Sequence, residues 1–131
     1  VTEKKIKQAL FSMHPNKAPG PYGMSPLFFQ RFQGIIKKDL LETIKSFFHL
    51  GYMWKTFNET LVILIPKIDT PLNLSHFRPI SLCNVVYKII SKVLVNRMKP
   101  ILNDCISSGQ AAFVLGRQIL DNVMMGHEYI H

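Results

Sequence analysis

Leu61-Val-Ile-Leu-Ile-Pro-Lys67 and Phe77-Arg-Pro-Ile-Ser-Leu82 are two short apolar segments separated by a turn-rich stretch. Leu61 to Ile65 is too short and too β-branched to be a helix of its own, so it reads as a buried strand. The second segment reads as its antiparallel partner. Pro79 has no N–H to give to a ladder, which assigns it to a sheet edge or a strand start. In such a hairpin Lys67 ends one strand and Arg78 begins the other, so two cations stand at one mouth and form a phosphate grip.

Outward from the hairpin the pattern is helical. Ile6, Ala9, Leu10 and Met13 recur at helical spacing after Thr2, a candidate N-cap, and this helix ends before His14-Pro15. Asn16 to Gly23 carries prolines and glycines too closely spaced for regular structure. Ser25-Pro26 restarts a helix in the favoured order of N-cap and first-turn proline. Leu40, Leu41, Ile44, Phe47 and Phe48 form one stripe of a longer helix that Gly51 closes. Val86, Ile89, Ile90, Val93 and Leu94 define another, which runs to Pro100 or is kinked there. The fold class is therefore α+β, mostly helical with a small antiparallel β-hairpin.

The 131 residues suit a single domain. The absence of an initiator Met at Val1 and a helix that runs up to His131 suggest a piece of something longer. Sixteen Lys and Arg against eight Asp and Glu give a net charge of +8, which makes polyanions, nucleic acid first, the natural partners. Between Lys67 and Lys99 there are six basic residues and one acid, Asp69. At 100° per residue Lys88, Lys92 and Lys99 project within about 40° of one another, opposite the apolar stripe, as a lysine rail. Arg97 projects onto the apolar side, where it must snorkel or find an acid. The simpler reading of all these cations is a solvated surface.

Cys83 and Cys105 lack metal-ligand spacing and read as reduced core thiols. No signal peptide or membrane span is apparent, and the sequons at Asn58 and Asn73 read as chance matches. His127-Glu128-Tyr129-Ile130-His131 matches the H-E-x-x-H spacing of zinc peptidases, but that chemistry needs a third protein ligand, usually supplied downstream. The Ala18 to Gly23 loop has neither phosphate-binding glycine fingerprint, and reads as a rigid connector. Ser107, Ser108, His76 and Cys83 are conceivable nucleophiles or bases to which the sequence assigns no partner. Gln110 to Arg117 suits contact with a sugar-phosphate backbone, with Gly116 permitting close approach and Arg117 pairing a phosphate; an ordinary loop with Phe113 in the core fits it equally well.

Lys17-Ala-Pro-Gly-Pro-Tyr-Gly23, Leu64-Ile-Pro-Lys67, Phe77-Arg-Pro-Ile-Ser-Leu82, Tyr87-Lys-Ile-Ile-Ser-Lys92 with Asn96-Arg97, and Gln110-x-Ala-Phe-x-x-Gly-Arg117 with Asp121-Asn122 form an ordered set. Together they resemble the reverse transcriptases of non-LTR (LINE-type) retrotransposons, plant ones most closely, over nearly the whole chain. The resemblance implies an RNA-directed DNA polymerase of right-hand architecture, of which this chain is the fingers and the beginning of the palm. It implies that Lys67 and Arg78 contact the triphosphate of an incoming dNTP. It also implies that Lys88, Lys92, Lys99, Gln110, Gly116 and Arg117 line the channel for RNA template and DNA primer.

Such enzymes use Mg²⁺ held by palm aspartates, and the motifs that supply them do not occur here, so no catalytic or metal-binding role falls on Asp69, Asp104 or Asp121. The chain alone is expected to be inactive, with the remaining palm and thumb supplied by the same polyprotein. If expressed, it belongs inside the cell, in nucleus or cytoplasm. Tyr22 stands where relatives have Asp, and Leu115 where many have Pro, which fits a decayed copy. A residual RNA- or DNA-binding module and a remnant without function are the alternative expectations.

Overall fold

The computed structural model describes residues 1–107 together with 110, 114, 116, 118, 120, 123, 124, 126 and 127. The chain divides into two units, Val1–Leu94 and Val95–His131. In chain order the elements are α1 (Glu3–Phe11), α2 (Pro26–Arg31), α3 (Gln33–Leu50), α4 (Lys55–Asn58), β1 (Thr60–Pro66), a 3₁₀ turn at Leu74–His76, β2 (Phe77–Cys83) and α5 (Val85–Cys105). The fold is α+β, with β1 and β2 forming a two-stranded antiparallel sheet.

The core of the first unit is helical. Ile6, Ala9 and Leu10 of α1, Met13 just after it, Phe29 of α2, Leu40 and Ile44 of α3, and Val85, Val86, Ile89, Ile90 and Val93 of α5 are buried together. These are the positions at which each helix repeats its apolar residues every three or four steps. Burying one such aliphatic side chain is worth roughly 1.5–3 kcal/mol.

Helix ends follow local chemistry. Thr2 and Ser25 occupy the N-cap positions of α1 and α2 with extended backbones, and Pro26 opens α2. Gly51 ends α3 at φ 68°, a left-handed conformation, and its N–H returns to the Phe47 carbonyl at 2.9 Å. Gln30 donates to the carbonyls of Leu10 and Met13 at 3.0 and 3.1 Å, which satisfies acceptors that the end of α1 leaves open. An exposed ion pair, Lys37 to Glu3 at 2.6 Å, links α3 to α1 and holds the Glu3 carboxyl below its ordinary range.

The connector from Lys17 to Gly23 is fixed against the start of α5. Gly20 is buried, and a Cβ there would come within 2.6 Å of the Cα, N and Oδ1 of Asn84. Pro21 and Tyr22 form the middle of a turn closed by the Gly23 N–H on the Gly20 carbonyl at 3.0 Å. Tyr22 donates its hydroxyl to Glu59 at 3.0 Å, so at this position the aromatic side chain makes a tie that a short carboxylate beside Glu59 would lose. Lys88 donates to the Ala18 carbonyl at 2.6 Å. Asn84 is itself 5% exposed, and its amide donates to the carbonyls of Thr56, Phe57 and Glu59 at 3.1, 3.5 and 3.2 Å.

Two expectations need correction. The strand Leu61 to Ile65 forms, but it is not buried: every residue of β1 is exposed, and β2 is exposed or at most half-buried. An apolar β-branched run specifies extended backbone, whereas burial needs a second layer, and the helices here pack on one another. The cysteines are unpaired as expected but are not core residues, since Cys83 is half-buried and Cys105 exposed. Pro79 lies opposite Leu64 in β2, where a two-stranded sheet offers only edges. In the second unit, α5 continues through Pro100 to Cys105, so of the two expectations for that proline an end of the helix is excluded. Arg97 there is exposed, in agreement with an outward-reaching side chain. Among the described residues no helix is long and apolar enough to cross a membrane.

Two outcomes test the connector. Gly20→Ala forces the Asn84 backbone aside and is expected to cost about 1–3 kcal/mol in urea unfolding, while the same change at Gly34, whose Cβ would meet nothing, costs far less. Asn84→Ala strands three carbonyls and is expected to cost about 1–3 kcal/mol.

A pH series tests the Lys88 contact. Desolvation, and then the charge of Lys17, hold the Lys88 ammonium below its ordinary 10.5. Between the lowered value and 10.5 the unfolded chain binds the proton that the folded chain has released, so stability rises with pH across that window. Relative to Lys88→Met, the wild type is therefore expected to gain stability as pH rises towards 10.5 in urea titrations, and a flat difference would remove the desolvated lysine.

Candidate functional site

The register of the hairpin builds the site. Ile65 lies opposite Arg78 and Pro66 opposite Phe77, and the Lys67 N–H extends the ladder to the His76 carbonyl at 2.7 Å. Side chains alternate along a strand, so Ile65 and Lys67 share a face, and Arg78 and His76 share that same face across the ladder. Lys67 and Arg78 are thus diagonal neighbours at the loop end, both exposed. Behind them on this face stand Ile63, Ile80, Leu61 and Leu82.

The two cations are held differently. The Lys67 ammonium donates to the Ser75 carbonyl at 2.8 Å, which points its long chain across the 3₁₀ turn. Arg78 has no carboxylate partner among the described residues, and neither does Lys67. The turn carries its own lock. His76 accepts at Nδ1 from the N–H groups of Leu72 and Asn73 at 3.2 and 3.4 Å, and its N–H donates to the Asn73 carbonyl at 2.9 Å.

The remaining candidates are spread along the chain. Lys88 and Lys92 are half-buried on the first part of α5, with the Lys88 ammonium turned to the Ala18 carbonyl. In the second unit Lys99 is exposed, as are Gln110 and Gly116, and the Gln110 N–H bonds the Ser107 carbonyl at 3.2 Å. Arg117, Asp121 and Asn122 lie outside the described residues, as do Ser108 and Phe113. So do all of the H-E-x-x-H positions except His127. Cys83 accepts the Thr60 hydroxyl at 3.6 Å, which gives it no nucleophile's partner.

Chemically the hairpin end suits a multiply charged anion. It offers a fixed ammonium and a guanidinium free of carboxylates. Among the described residues no group of three or more His, Cys, Asp or Glu is placed to hold a metal ion. Sequence reasoning missed the roles of His76 and Asn84. Asn84 stands directly before the apolar run of α5, a recognisable helix-start signal, whereas nothing in the local pattern announces that the His76 ring turns back on its own loop.

No family model matches the chain. Over all 131 residues it is 31% identical to the Transposon TX1 uncharacterized 149 kDa protein of Xenopus laevis. The match covers the whole of this chain and 10% of that protein, so the chain spans about a tenth of the length of the relative. It is, along its full length, a relative of one stretch of a transposon protein.

Proposed function

We propose that this chain is the fingers and the beginning of the palm of a reverse transcriptase from a non-LTR (LINE-type) retrotransposon of plant-like type. The observation that carries this reading is the ordered set of five motifs in a chain related along its whole length to a transposon protein. The carboxylate-free pair Lys67 and Arg78 on one face of the hairpin supports it. In this reading the pair grips the triphosphate of a dNTP, with Arg78 free to form a two-point contact and Lys67 acting as a point charge. Lys88, Lys92, Lys99, Gln110, Gly116 and Arg117 contribute contacts to RNA template and DNA primer.

The chemistry of nucleotide addition needs carboxylates that hold two Mg²⁺ ions, and residues 1–131 contain no Ala-Asp-Asp turn. The chain's own residues therefore bind and orient, and catalysis falls to palm aspartates of a longer protein. The Lys88 ammonium also ties α5 to the connector at Ala18, so Lys92 and Lys99 are the lysines whose loss reports phosphate contact alone.

Two measurements test this. Affinity for an RNA–DNA duplex is expected to fall steeply with salt, and Lys92→Ala with Lys99→Ala is expected to flatten the log–log slope by about 2. An unchanged slope makes these lysines a solvated face. Arg78→Ala is expected to weaken dNTP binding by roughly tenfold or more, the loss of a charge-assisted contact. If duplex binding persists while Lys67→Ala and Arg78→Ala leave dNTP affinity untouched, the chain is a nucleic-acid-binding module without a nucleotide site. Primer extension by the chain alone with Mg²⁺ is expected to stay at background.

A further inference from the structure

We infer that His76 is the positioning residue for Lys67, an inference that rests on the reading of Lys67 as a triphosphate contact. Four hydrogen bonds converge on this one residue. Its Nδ1 accepts the N–H groups of Leu72 and Asn73, its carbonyl accepts the N–H of Lys67, and its own N–H closes the 3₁₀ turn on Asn73. The turn so fixed presents the Ser75 carbonyl, which holds the Lys67 ammonium at 2.8 Å. The path from the ring to the cation is therefore short and continuous: ring nitrogen, loop amides, turn carbonyl, ammonium.

The ring acts through the lone pair of Nδ1, which an imidazole with its proton on Nε2 offers to both backbone donors. Without that acceptor the two amides lose their partner and the turn opens, and the Ser75 carbonyl moves off Lys67. Lys67 is then left without its tether, and its flexible chain must be ordered by the nucleotide on binding.

Two substitutions separate a positioning role from mere loop filling. His76→Asn keeps an acceptor, Oδ1, the same number of bonds from Cα as Nδ1. His76→Phe keeps a ring and removes the acceptor. The readouts are amide hydrogen-exchange protection at Lys67, Leu72 and Asn73, and dATP affinity in Mg²⁺ buffer, on the full chain. Protection at Ile44 and Ile89 in the helical core reports whether each variant is folded.

In the wild type the three loop amides are expected to be protected; His76→Phe is expected to lower that protection by roughly tenfold, with a weaker dATP affinity alongside, and His76→Asn to keep the wild-type values. The inference is overturned if His76→Phe keeps wild-type protection at Lys67, or if His76→Asn loses it as His76→Phe does. Should the wild type bind no dATP, the triphosphate reading fails while the amide data still decide whether His76 positions Lys67.

Discussion

The close approach of Gly20 to Asn84 is the constraint on which the first unit depends. At 2.6 Å from a would-be Cβ, the Asn84 backbone leaves no room for any side chain at position 20. That contact seats the proline-rich connector on the N-terminal end of α5. Asn84 then turns its amide to three carbonyls of the segment that leads into β1. One buried amide thus joins four pieces of chain: the connector, the approach to β1, the end of β2 and the start of α5. Because its donors have nowhere else to go, the arrangement is all-or-none, as buried polar contacts are.

The hairpin is the opposite kind of structure. It leaves the Asn84 junction at Glu59 and returns at Cys83, and between these points it contributes no buried residue. Its apolar side chains on both faces remain open, with Leu61, Ile63, Leu64 and Ile65 between 40 and 48% exposed. A two-stranded ribbon of this kind has little stability of its own. What orders its tip is polar instead: the His76 ring, the 3₁₀ turn and the Lys67 ammonium on Ser75. Geometry at the cation pair is therefore set by hydrogen bonds within the loop, not by packing.

Much of this architecture is legible in the sequence because it is local. The stripe from Leu40 to Phe48, Gly51 as its terminator, the Ser25-Pro26 restart and the extended run from Leu61 to Ile65 are each written within one turn or one strand. The hairpin pairing follows from the two apolar runs and sets Lys67 and Arg78 on one face. Burial is a different matter. Leu61 to Ile65 has the composition of a core strand and lies open, because exposure depends on which layers meet and composition does not record that. Lys88 shows the same limit: its helical spacing assigns it to a solvent-facing rail, yet Ala18, seventy positions away, takes its ammonium. His76 and Asn84 escape for a related reason, since their side chains act on backbone groups that no side-chain pattern encodes.

The separation between a helical core and a polar hairpin tip has a consequence for function. Residues that hold the fold, such as Ile44, Ile89 and Asn84, are buried, whereas Lys67, His76 and Arg78 lie at the loop end of a hairpin that contributes no buried residue. Changes at the tip then alter charge and loop order without opening the core. A chain in which the site and the scaffold were packed together could not be dissected this way, because each site variant would also be a folding variant. Here the exposed ribbon, which looks like a weakness in packing terms, lets the cation pair vary independently of the core.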